Sequence, residues 1–237
     1  MQIAIIPARG GSKRIPRKNI LPFLGRPMLS WPISAAVRSG LFDRVIVSTD
    51  DDEIADVARS AGAEVPFKRP EEISDDLTPT RAVINHAINS AETFFDRRVD
   101  LACCIYATAP MIEPDDLCAA HACLTTEPNV DFVFAAAHFA YPVQRALVAN
   151  ESGTVDMLWP EYRTTRSQDL PEAFHDAGQF YWGRRDAFLE NKPMFSDHAH
   201  PYMMPRSRVQ DIDTPEDWAF AEKLMQLHLQ LPSSQRP

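Results

Sequence analysis

The chain opens with a short apolar segment that leads directly into a basic, glycine-containing loop: Gln2-Ile3-Ala4-Ile5-Ile6, then Pro7-Ala8-Arg9-Gly10-Gly11-Ser12-Lys13-Arg14-Ile15-Pro16-Arg17-Lys18-Asn19. A continuous apolar run of this length predicts a strand buried on both faces, as in the middle of a parallel sheet. Ligands of open α/β sheets bind at the carboxyl ends of the strands, where this loop begins. Two adjacent glycines let backbone N–H groups approach an anion closely. The segment therefore predicts an α/β sheet with an anion site at its edge.

The charge of this loop differs from that of the chain as a whole. The 237 residues carry a formal net charge of −9, which argues against a general nucleic-acid binder. Five basic side chains nevertheless fall within the loop, and they are Arg9, Lys13, Arg14, Arg17 and Lys18. Such a concentration suits a polyanion such as a nucleoside triphosphate, and the alternative is a charged surface loop after an edge strand. The loop matches neither GxGxxG nor GxxxxGK[ST], so neither a dinucleotide fingerprint nor a Walker loop applies.

Strand-like and helix-like segments alternate along the rest of the chain. Further strands are predicted at 44–49, 63–67, 101–106, 130–137, 179–182 and 208–212. Helices are predicted at about 27–40, 51–61, 78–95, 114–124, 185–190 and 215–229. This alternation predicts a mainly parallel, Rossmann-like α/β sheet with helices on both faces.

We expect one domain over residues 1–231, followed by a disordered tail at 232–237. Periodicity fades at 138–177, which predicts an irregular insertion that forms a lid, a substrate wall or a dimer arm. No apolar run of about 18 residues occurs, so no membrane helix is expected. The start of the chain lacks the features of a secretory signal, and its four cysteines form no CxxC pair. We therefore expect a cytoplasmic protein with free thiols.

Two acidic residues near the end of the chain, Asp211 and Asp213, alternate by two. On a strand, that spacing places both carboxylates on one face, where they can hold Mg²⁺ against phosphate oxygens. The alternative interpretation makes Asp213 the N-terminal cap of the last helix, ahead of Thr214 and Pro215. Glu216 and Asp217 are expected to be charges at the start of that helix.

Several of these motifs, in the same order and spacing, resemble those of the nonulosonate cytidylyltransferases, the CMP-sialic acid synthetase family. The resemblance covers residues 1 to about 225. The segments that carry it are Ala8-Arg9-Gly10-Gly11-Ser12-Lys13 with Ile15-Pro16 and Lys18-Asn19; Val47-Ser48-Thr49-Asp50; Arg69-Pro70 with Ser74, Asp75 and Asp76; Ala107-Thr108-Ala109-Pro110; and Asp211-Ile212-Asp213-Thr214-Pro215-Glu216-Asp217. The family resemblance implies a nucleotidyltransferase fold and a reaction in which CTP and a nonulosonic acid give a CMP-sugar and pyrophosphate.

Within this family, the pseudaminic acid branch is the most similar. Arg14, the turn Tyr106-Ala107-Thr108-Ala109-Pro110 and the segment Phe174-His175-Asp176-Ala177-Gly178-Gln179-Phe180-Tyr181 carry this finer likeness. The sialic acid branch usually has a small residue in place of Arg14 and a Gln-Pro-Thr-Ser-Pro turn in place of 106–110. Sialic, legionaminic and Kdo sugars remain alternatives, as does a non-catalytic nucleotide-binding module, although such a module has no need of an acid pair.

The resemblance also implies roles for individual residues. The implied catalytic residues are Lys18, Arg9 and Asp211, with Mg²⁺ bound by Asp211 and Asp213. The implied nucleotide-binding residues are Ala8, Arg9, Gly10, Gly11, Ser12, Lys13, Lys18, Asn19, Arg69 and Asp76. The implied sugar-binding residues are Tyr106, Thr108, Arg145, Arg166, Phe174 and Tyr181, since an arginine fork suits the C1 carboxylate and aromatic rings suit the N-acyl groups. The general base stays open between a water on the metal, an aspartate near Asp211 and His175. The resemblance further implies a homodimer in which 138–177 supplies the arm.

Overall fold

The computed structural model describes residues 1–231, and the expected tail at 232–237 lies outside the described residues. The strands, in chain order, are β1 (Gln2–Pro7), β2 (Pro22–Phe23), β3 (Arg26–Pro27), β4 (Arg44–Ser48), β5 (Leu101–Ile105), β6 (Phe132–His138), β7 (Leu147–Ala149), β8 (Val155–Met157), β9 (Phe174–Arg184) and β10 (Ala199–Met203). The α-helices are α1 (Ser30–Ser39), α2 (Asp52–Ser60), α3 (Thr80–Phe95), α4 (Pro114–Thr126), α5 (Arg185–Leu189) and α6 (Pro215–Gln230).

Six of these strands form the central sheet, in the order β10-β6-β9-β5-β1-β4. Strand β1 lies parallel to both β4 and β5, and β10 lies parallel to β6. Strand β9 is antiparallel to both of its neighbours, β5 and β6. The sheet is therefore mixed but mostly parallel, and the predicted fold class is confirmed. The carboxyl ends of β1, β4, β5 and β6 meet at one edge, which is where the site forms.

Helices cover both faces of the sheet, as predicted. Ile33 of α1, Ile54 of α2 and Leu117 of α4 pack into the core on one face. Ile84 of α3 and Phe188 of α5 belong to the core on the other face. Burial of such side chains contributes about 1.5–3 kcal/mol each to folding, so both layers are held firmly to the sheet.

A third apolar cluster decides the geometry of the site. Ile15 and Phe23, from the segment after β1, pack with Met111, Ile212 and Trp218. Ile15 belongs to the basic loop, and Ile212 lies between the two acids near the end of the chain. Because both side chains are buried in one cluster, two segments almost 200 positions apart are brought together.

Two of the predicted strands are wrong. The segment 63–67 makes only an isolated parallel bridge from Glu64 to Ile46. Pro66 has no N–H to donate to a ladder, which limits pairing there. The segment 208–212 is not a strand, because a 3₁₀ turn, Arg206–Arg208, is followed by irregular chain up to α6. A side chain binds one of its carbonyls instead, since Lys18 donates to the carbonyl of Ile212.

The insertion at 138–177 is more ordered than its sequence indicates. Strands β7 and β8 form a separate antiparallel hairpin, and β9 already begins at Phe174. Apolar side chains on this hairpin are exposed, for example Leu147 at 60% and Val155 at 59%. Single exposed apolar residues are ordinary, but a hairpin with several of them is typical of a surface that meets another protein.

Candidate active site

A cleft of about 540 Å³ opens at the carboxyl edge of the sheet, beside the basic loop. Its lining includes four basic side chains of that loop together with Arg69 and two acids. The lining residues are Pro7, Arg9, Ser12, Lys13, Arg14, Lys18, Asn19, Arg69, Ile73, Asp75, Asp76, Thr78, Thr80, Val83, Tyr106, Ala107 and Thr108. A cleft with an excess of cations concentrates the electrostatic field and attracts a polyanion.

The basic loop is held in place by two aspartates that follow β4. The backbone N–H of Gly10 donates to Asp50 Oδ1 at 3.1 Å. A Cβ on Gly10 would lie only 2.8 Å from Asp51 Oδ2, so this position has room for glycine alone. Asn19 donates to the carbonyl of Arg9 at 2.9 Å and ties the two ends of the loop together. The loop is therefore a fixed element of the site.

Arg17 anchors the basic loop at a second point, and it is not among the residues that line the cleft. Its guanidinium donates to Asp51 at 2.5 Å and to Glu53 at 2.5 Å, and its backbone adopts a left-handed conformation with φ of 58°. Hydrogen bonding to Asp51 raises the pKa of Arg17 and lowers that of Asp51. Asp51 also accepts from the N–H of Ile54 at 2.9 Å and thereby caps α2. One carboxylate thus couples the loop to the start of a helix.

Arg9 and Lys13 converge on one acid across the cleft. Both form ion pairs with Asp76, whose side chain is 31% exposed. Hydrogen bonds from Lys13 and then from Arg9 lower the pKa of Asp76. A carboxylate held between two cations occupies the kind of position that a phosphate oxygen takes, so Asp76 and a bound anion would compete for the same donors.

Lys18 and Arg14 reach the second acidic cluster, near the end of the chain. Lys18 Nζ donates to the Ile212 carbonyl at 2.5 Å and lies 3.5 Å from Asp213 Oδ1. Arg14 Nη1 lies 2.7 Å from Asp213 Oδ2. The Lys18 side chain is only 17% exposed, so this contact is partly shielded from solvent. The basic loop and the acid pair therefore lie next to each other in the folded chain.

The pair Asp211 and Asp213 is close enough for mutual repulsion. Desolvation, and then the charge of Asp213, raise the pKa of Asp211, while Lys18 and Arg14 oppose the shift. The argument that placed both acids on one face of a strand is wrong, but the irregular segment still brings them together. The alternative that Asp213 caps α6 is also wrong, because Thr214 is the N-cap and accepts from the N–H of Asp217.

These two carboxylates fit a hard divalent cation. Oxygen ligands suit Mg²⁺, which is usually held by one or two protein carboxylates together with substrate phosphates. Burial first, and then the charge of Asp213, raise the pKa of Asp211, and a bound cation would offset both effects. No cluster of three or more potential ligands occurs within residues 1–231, so further ligands would have to come from substrate and water.

Arg69 lies at the inner wall of the cleft and is only 4% exposed. Its Nε donates to Ser48 Oγ at 3.1 Å, and its Nη2 donates to the Ser48 carbonyl. Burial lowers the pKa of Arg69 to about 10, with Asp50 opposing the shift, so the side chain is cationic at neutral pH. Ser48 and Asp50 at the end of β4 thus hold a buried cation against the cleft.

The predicted sugar-binding residues divide into two groups. Tyr106 and Thr108 line the cleft, and Tyr181 packs behind Tyr106 with ring centroids 5.5 Å apart. Arg145 donates to backbone carbonyls of Tyr162 and Arg163 inside the insertion.

Arg166 pairs with Asp169 at 2.7 Å, and Phe174 lies at the start of β9 with 43% exposure. Within the single chain, Arg145, Arg166 and Phe174 are not among the residues that line the cleft. His175 likewise lies outside it, with Nδ1 2.8 Å from the Asp176 carbonyl.

Three residues that shape the site were given no role by the sequence analysis. Asp50 and Asp51 fix the basic loop, and their place directly after a predicted strand was the available signal. Arg208 lies before the acid pair and makes a buried ion pair with Asp116 at 2.5 Å. Sequence gave no signal for this last contact, because its partners are 92 positions apart and become neighbours only in the folded chain.

The fold and the site define a nucleotidyltransferase, and comparison with known proteins establishes the class. The cytidylyltransferase family model matches residues 3–235, so the chain belongs to the cytidylyltransferase family. A solved structure of CMP:2-keto-3-deoxy-manno-octonic acid synthetase complexed with CTP has the same fold. Its TM-score is 0.69 at 18% identity, over 95% of this chain and 98% of that one.

Individual relatives show which branches of the family the chain resembles. The chain is 45% identical to the pseudaminic acid cytidylyltransferase of Campylobacter jejuni over 226 residues, which are 95% of this chain and 97% of the relative. It is 32% identical to the CMP-N,N'-diacetyllegionaminic acid synthase of Legionella pneumophila, over 95% of this chain and 97% of that protein. The resemblance to the nonulosonate cytidylyltransferases, and to their pseudaminic acid branch, is thereby confirmed. In the part of the chain that the structure describes, no helix has the length and apolar character of a membrane span.

Proposed function

We propose that this protein is a Mg²⁺-dependent cytidylyltransferase that joins CTP to pseudaminic acid and releases pyrophosphate. The main support for the proposal is that Lys18 and Arg14 form ion pairs with Asp213 beside the cleft. A triphosphate needs cations along its length and a metal at its reacting end, and this arrangement supplies residues for both. The 45% identity to a pseudaminic acid cytidylyltransferase over nearly the whole chain supports the choice of sugar.

The basic loop binds the triphosphate in this proposal. Arg9 and Lys13 exchange Asp76 for phosphate oxygens, and the N–H groups of Gly10 and Gly11 approach the anion. Lys18 stabilises the charge that develops on the α-phosphate and on the departing pyrophosphate. Because Asn19 and Asp50 already fix the loop, little reorganisation is needed when the nucleotide binds.

Asp211 and Asp213 would hold the metal ion. When bound, Mg²⁺ supplies charge neutralisation for the phosphate oxygens. Lys18 and Arg14 hold Asp213 in place, and their charges oppose the rise in the pKa of Asp211. The general base is not assigned.

Arg69 reads the cytosine in this proposal. Two of its donor atoms are committed to Ser48, which fixes the plane of the guanidinium. Cytosine presents a carbonyl and a ring-nitrogen acceptor, and a fixed cationic donor suits both. The buried position makes loss of this residue costly, because Ser48 and Asp50 are arranged around it.

We further propose a homodimer in which the insertion carries the contact. Its hairpin exposes Leu147, Val148 and Val155, and Tyr141 nearby is 83% exposed. Arg145 and Arg166 lie on the same insertion, so their predicted role at the sugar carboxylate requires them to act across a subunit interface. Light scattering that gives the mass of one chain would exclude that role.

A sugar panel tests the reaction. The protein is incubated with CTP, Mg²⁺ and, separately, pseudaminic, legionaminic, sialic and Kdo sugars, and pyrophosphate release is followed. Release with pseudaminic acid is the expected result, and release with another sugar alone would contradict the choice of substrate. Lys18→Ala is expected to lose turnover, while Lys68→Ala is the matched control, because Lys68 forms an exposed pair with Asp52 away from the cleft.

A further inference from the structure

The segment just before the acid pair is fastened to the start of α4 by one buried side chain, that of Arg208. Its two Nη atoms form parallel hydrogen bonds with Asp116, at 2.5 Å to Oδ2 and at 2.8 Å to Oδ1. Nη1 also donates to the carbonyl of Met111 at 3.1 Å. Paired bonds of this kind fix orientation as well as distance, because a planar guanidinium meets a planar carboxylate. Arg208 therefore ties its own stretch of backbone to a defined place.

Asp116 is a rigid partner for this contact, because two other elements also hold it. Its Oδ2 accepts from the backbone N–H of Glu113 at 2.8 Å, as part of the capping box that begins α4. Its Oδ1 accepts from the hydroxyl of Tyr202, on β10, at 2.9 Å. One buried carboxylate thus joins a helix start, an edge strand and the segment that leads to the acid pair.

The other end of this segment is anchored at Ile212. Its side chain is fully buried in the apolar cluster that also contains Met111, and its carbonyl accepts from Lys18 at 2.5 Å. Only three residues separate Arg208 from Ile212, and an extended chain spans at most about 3.3–3.6 Å per residue. With both ends fixed, the backbone between them, which includes Asp211, has little freedom to move.

Asp211 depends on these anchors more than Asp213 does. The side chain of Asp213 is paired directly with Arg14 and Lys18. The Asp211 carboxylate, by contrast, forms no hydrogen bond or ion pair with any residue in the range 1–231. Gln210 donates at 2.8 Å to the backbone carbonyl of Asp211 and not to its side chain. The place of the Asp211 carboxylate is therefore decided by the backbone that carries it.

We propose that Arg208 is a positioning residue that sets the place of the Asp211 carboxylate for a divalent cation, and so favours Mg²⁺ over a larger ion. This inference rests on the proposed function, in which Asp211 and Asp213 hold the metal. Mg²⁺ demands near-ideal octahedral geometry with ligands at about 2.0–2.1 Å, whereas Ca²⁺ accepts a flexible set of oxygens at about 2.3–2.6 Å. A carboxylate on a loosened backbone therefore weakens the binding of Mg²⁺ more than that of Ca²⁺.

Arg208→Lys tests this role with the charge retained. A single Nζ cannot form two parallel bonds with Asp116 and also reach the carbonyl of Met111. Calorimetry measures the Kd for CTP without any sugar, in Mg²⁺, in Ca²⁺ and in EDTA, at a temperature well below the melting transition of each variant. In Mg²⁺ we expect the Kd to rise about ten-fold, the lower end of the range for groups that support a metal ligand. In Ca²⁺ the rise should be less than about three-fold, and in EDTA the Kd should not change.

Two further variants separate positioning from stability. Asp116→Asn keeps the shape of the side chain but removes one of the two acceptors of Arg208, so it should show the same selective loss in Mg²⁺, and it carries the test if Arg208→Lys does not fold. Arg185→Lys is the matched control. Arg185 also forms two parallel bonds with a carboxylate, to Glu92 at 2.7 and 2.8 Å, but lies on α5. Its Kd for CTP should match that of the wild type in all three buffers.

The wild type and the variants answer different questions. A wild type that binds CTP no more tightly in Mg²⁺ than in EDTA overturns the proposed metal role of the acid pair, and this inference with it. A wild-type gain from Mg²⁺ that Arg208→Lys and Asp116→Asn both keep overturns the role of Arg208 alone. An equal rise of the Kd in Mg²⁺ and in EDTA also overturns it, because that result marks a general loss of structure. The sugar panel decides the choice of sugar and does not enter these measurements.

Discussion

Replacing Gly10 by alanine should loosen the loop that leaves β1. The added Cβ would lie 2.8 Å from Asp51 Oδ2, about 0.6 Å short of an ordinary contact of 3.4 Å. Asp51 cannot easily move away, because Oδ1 accepts from the N–H of Ile54 and Oδ2 accepts from Arg17 at 2.5 Å. The substitution therefore forces a choice between a displaced loop and a broken helix cap.

The expected cost follows from what Asp51 would lose. An N-terminal cap contributes about 1 kcal/mol, and a partly exposed ion pair contributes up to about 1 kcal/mol. We therefore expect Gly10→Ala to lower the free energy of unfolding by about 1–2 kcal/mol, in line with other overpacked sites. In a domain of this size the loss corresponds to a melting temperature lower by about 2–8 °C. The KM for CTP should rise as well, because the loop carries the cations that are proposed to bind the triphosphate.

Thermal unfolding and steady-state kinetics measure the two effects. Gly11→Ala is the control for stability, since a Cβ at Gly11 meets nothing within 4 Å. Asp51→Ala removes the carboxylate but keeps a Cβ 3.1 Å away, so the double variant should lose less stability than the sum of the two single variants. Equal melting temperatures for Gly10→Ala and Gly11→Ala would refute the reasoning, as would strictly additive losses in the double variant.

Two further predictions concern charges near the acid pair. Asp116→Ala leaves Arg208 buried without its ion-pair partner, so the free energy of unfolding in urea should fall by about 3–5 kcal/mol. The control is Asp56→Ala, which removes an exposed ion pair and should cost less than about 0.5 kcal/mol. Similar losses in both variants would contradict the argument. Asp211→Asn should abolish turnover yet stabilise the protein at pH 7 by less than about 1 kcal/mol, because folding raises the pKa of Asp211 and so disfavours its ionised form. That gain should shrink as the pH falls below about 4, the ordinary pKa of an aspartate, because the carboxylate then becomes protonated in both states. A variant less stable than the wild type at pH 7 would contradict the sign.

Local patterns predicted much of the fold. Strand β1 and the loop after it follow from a continuous apolar run and a cluster of cations, and both features are encoded within twenty positions. Helix α1 ends where Gly40 adopts a left-handed conformation with φ of 67°. These signals are reliable because turn geometry and burial on both faces depend on residues that are neighbours in sequence.

The predictions that failed depended on partners far along the chain. The segment 208–212 is predicted as a strand, but Arg208 is buried against Asp116, and Lys18 donates to the carbonyl of Ile212. No neighbouring strand reaches these backbone groups, so the pattern alone could not decide the structure. The position of β9 between β5 and β6 is equally non-local, and with it the placement of Tyr181 behind Tyr106.

The sequence by itself determined the chemical inventory of this protein: a basic, glycine-containing loop after a buried strand, a pair of carboxylates near the chain's end, and the family to which their spacing belongs. Only the tertiary structure decided that these groups meet. Ile15 and Ile212 share one apolar cluster, and their burial there carries Lys18 to Asp213. Non-directional burial of apolar side chains sets which distant segments become neighbours, and the short-range polar contacts then fix the geometry.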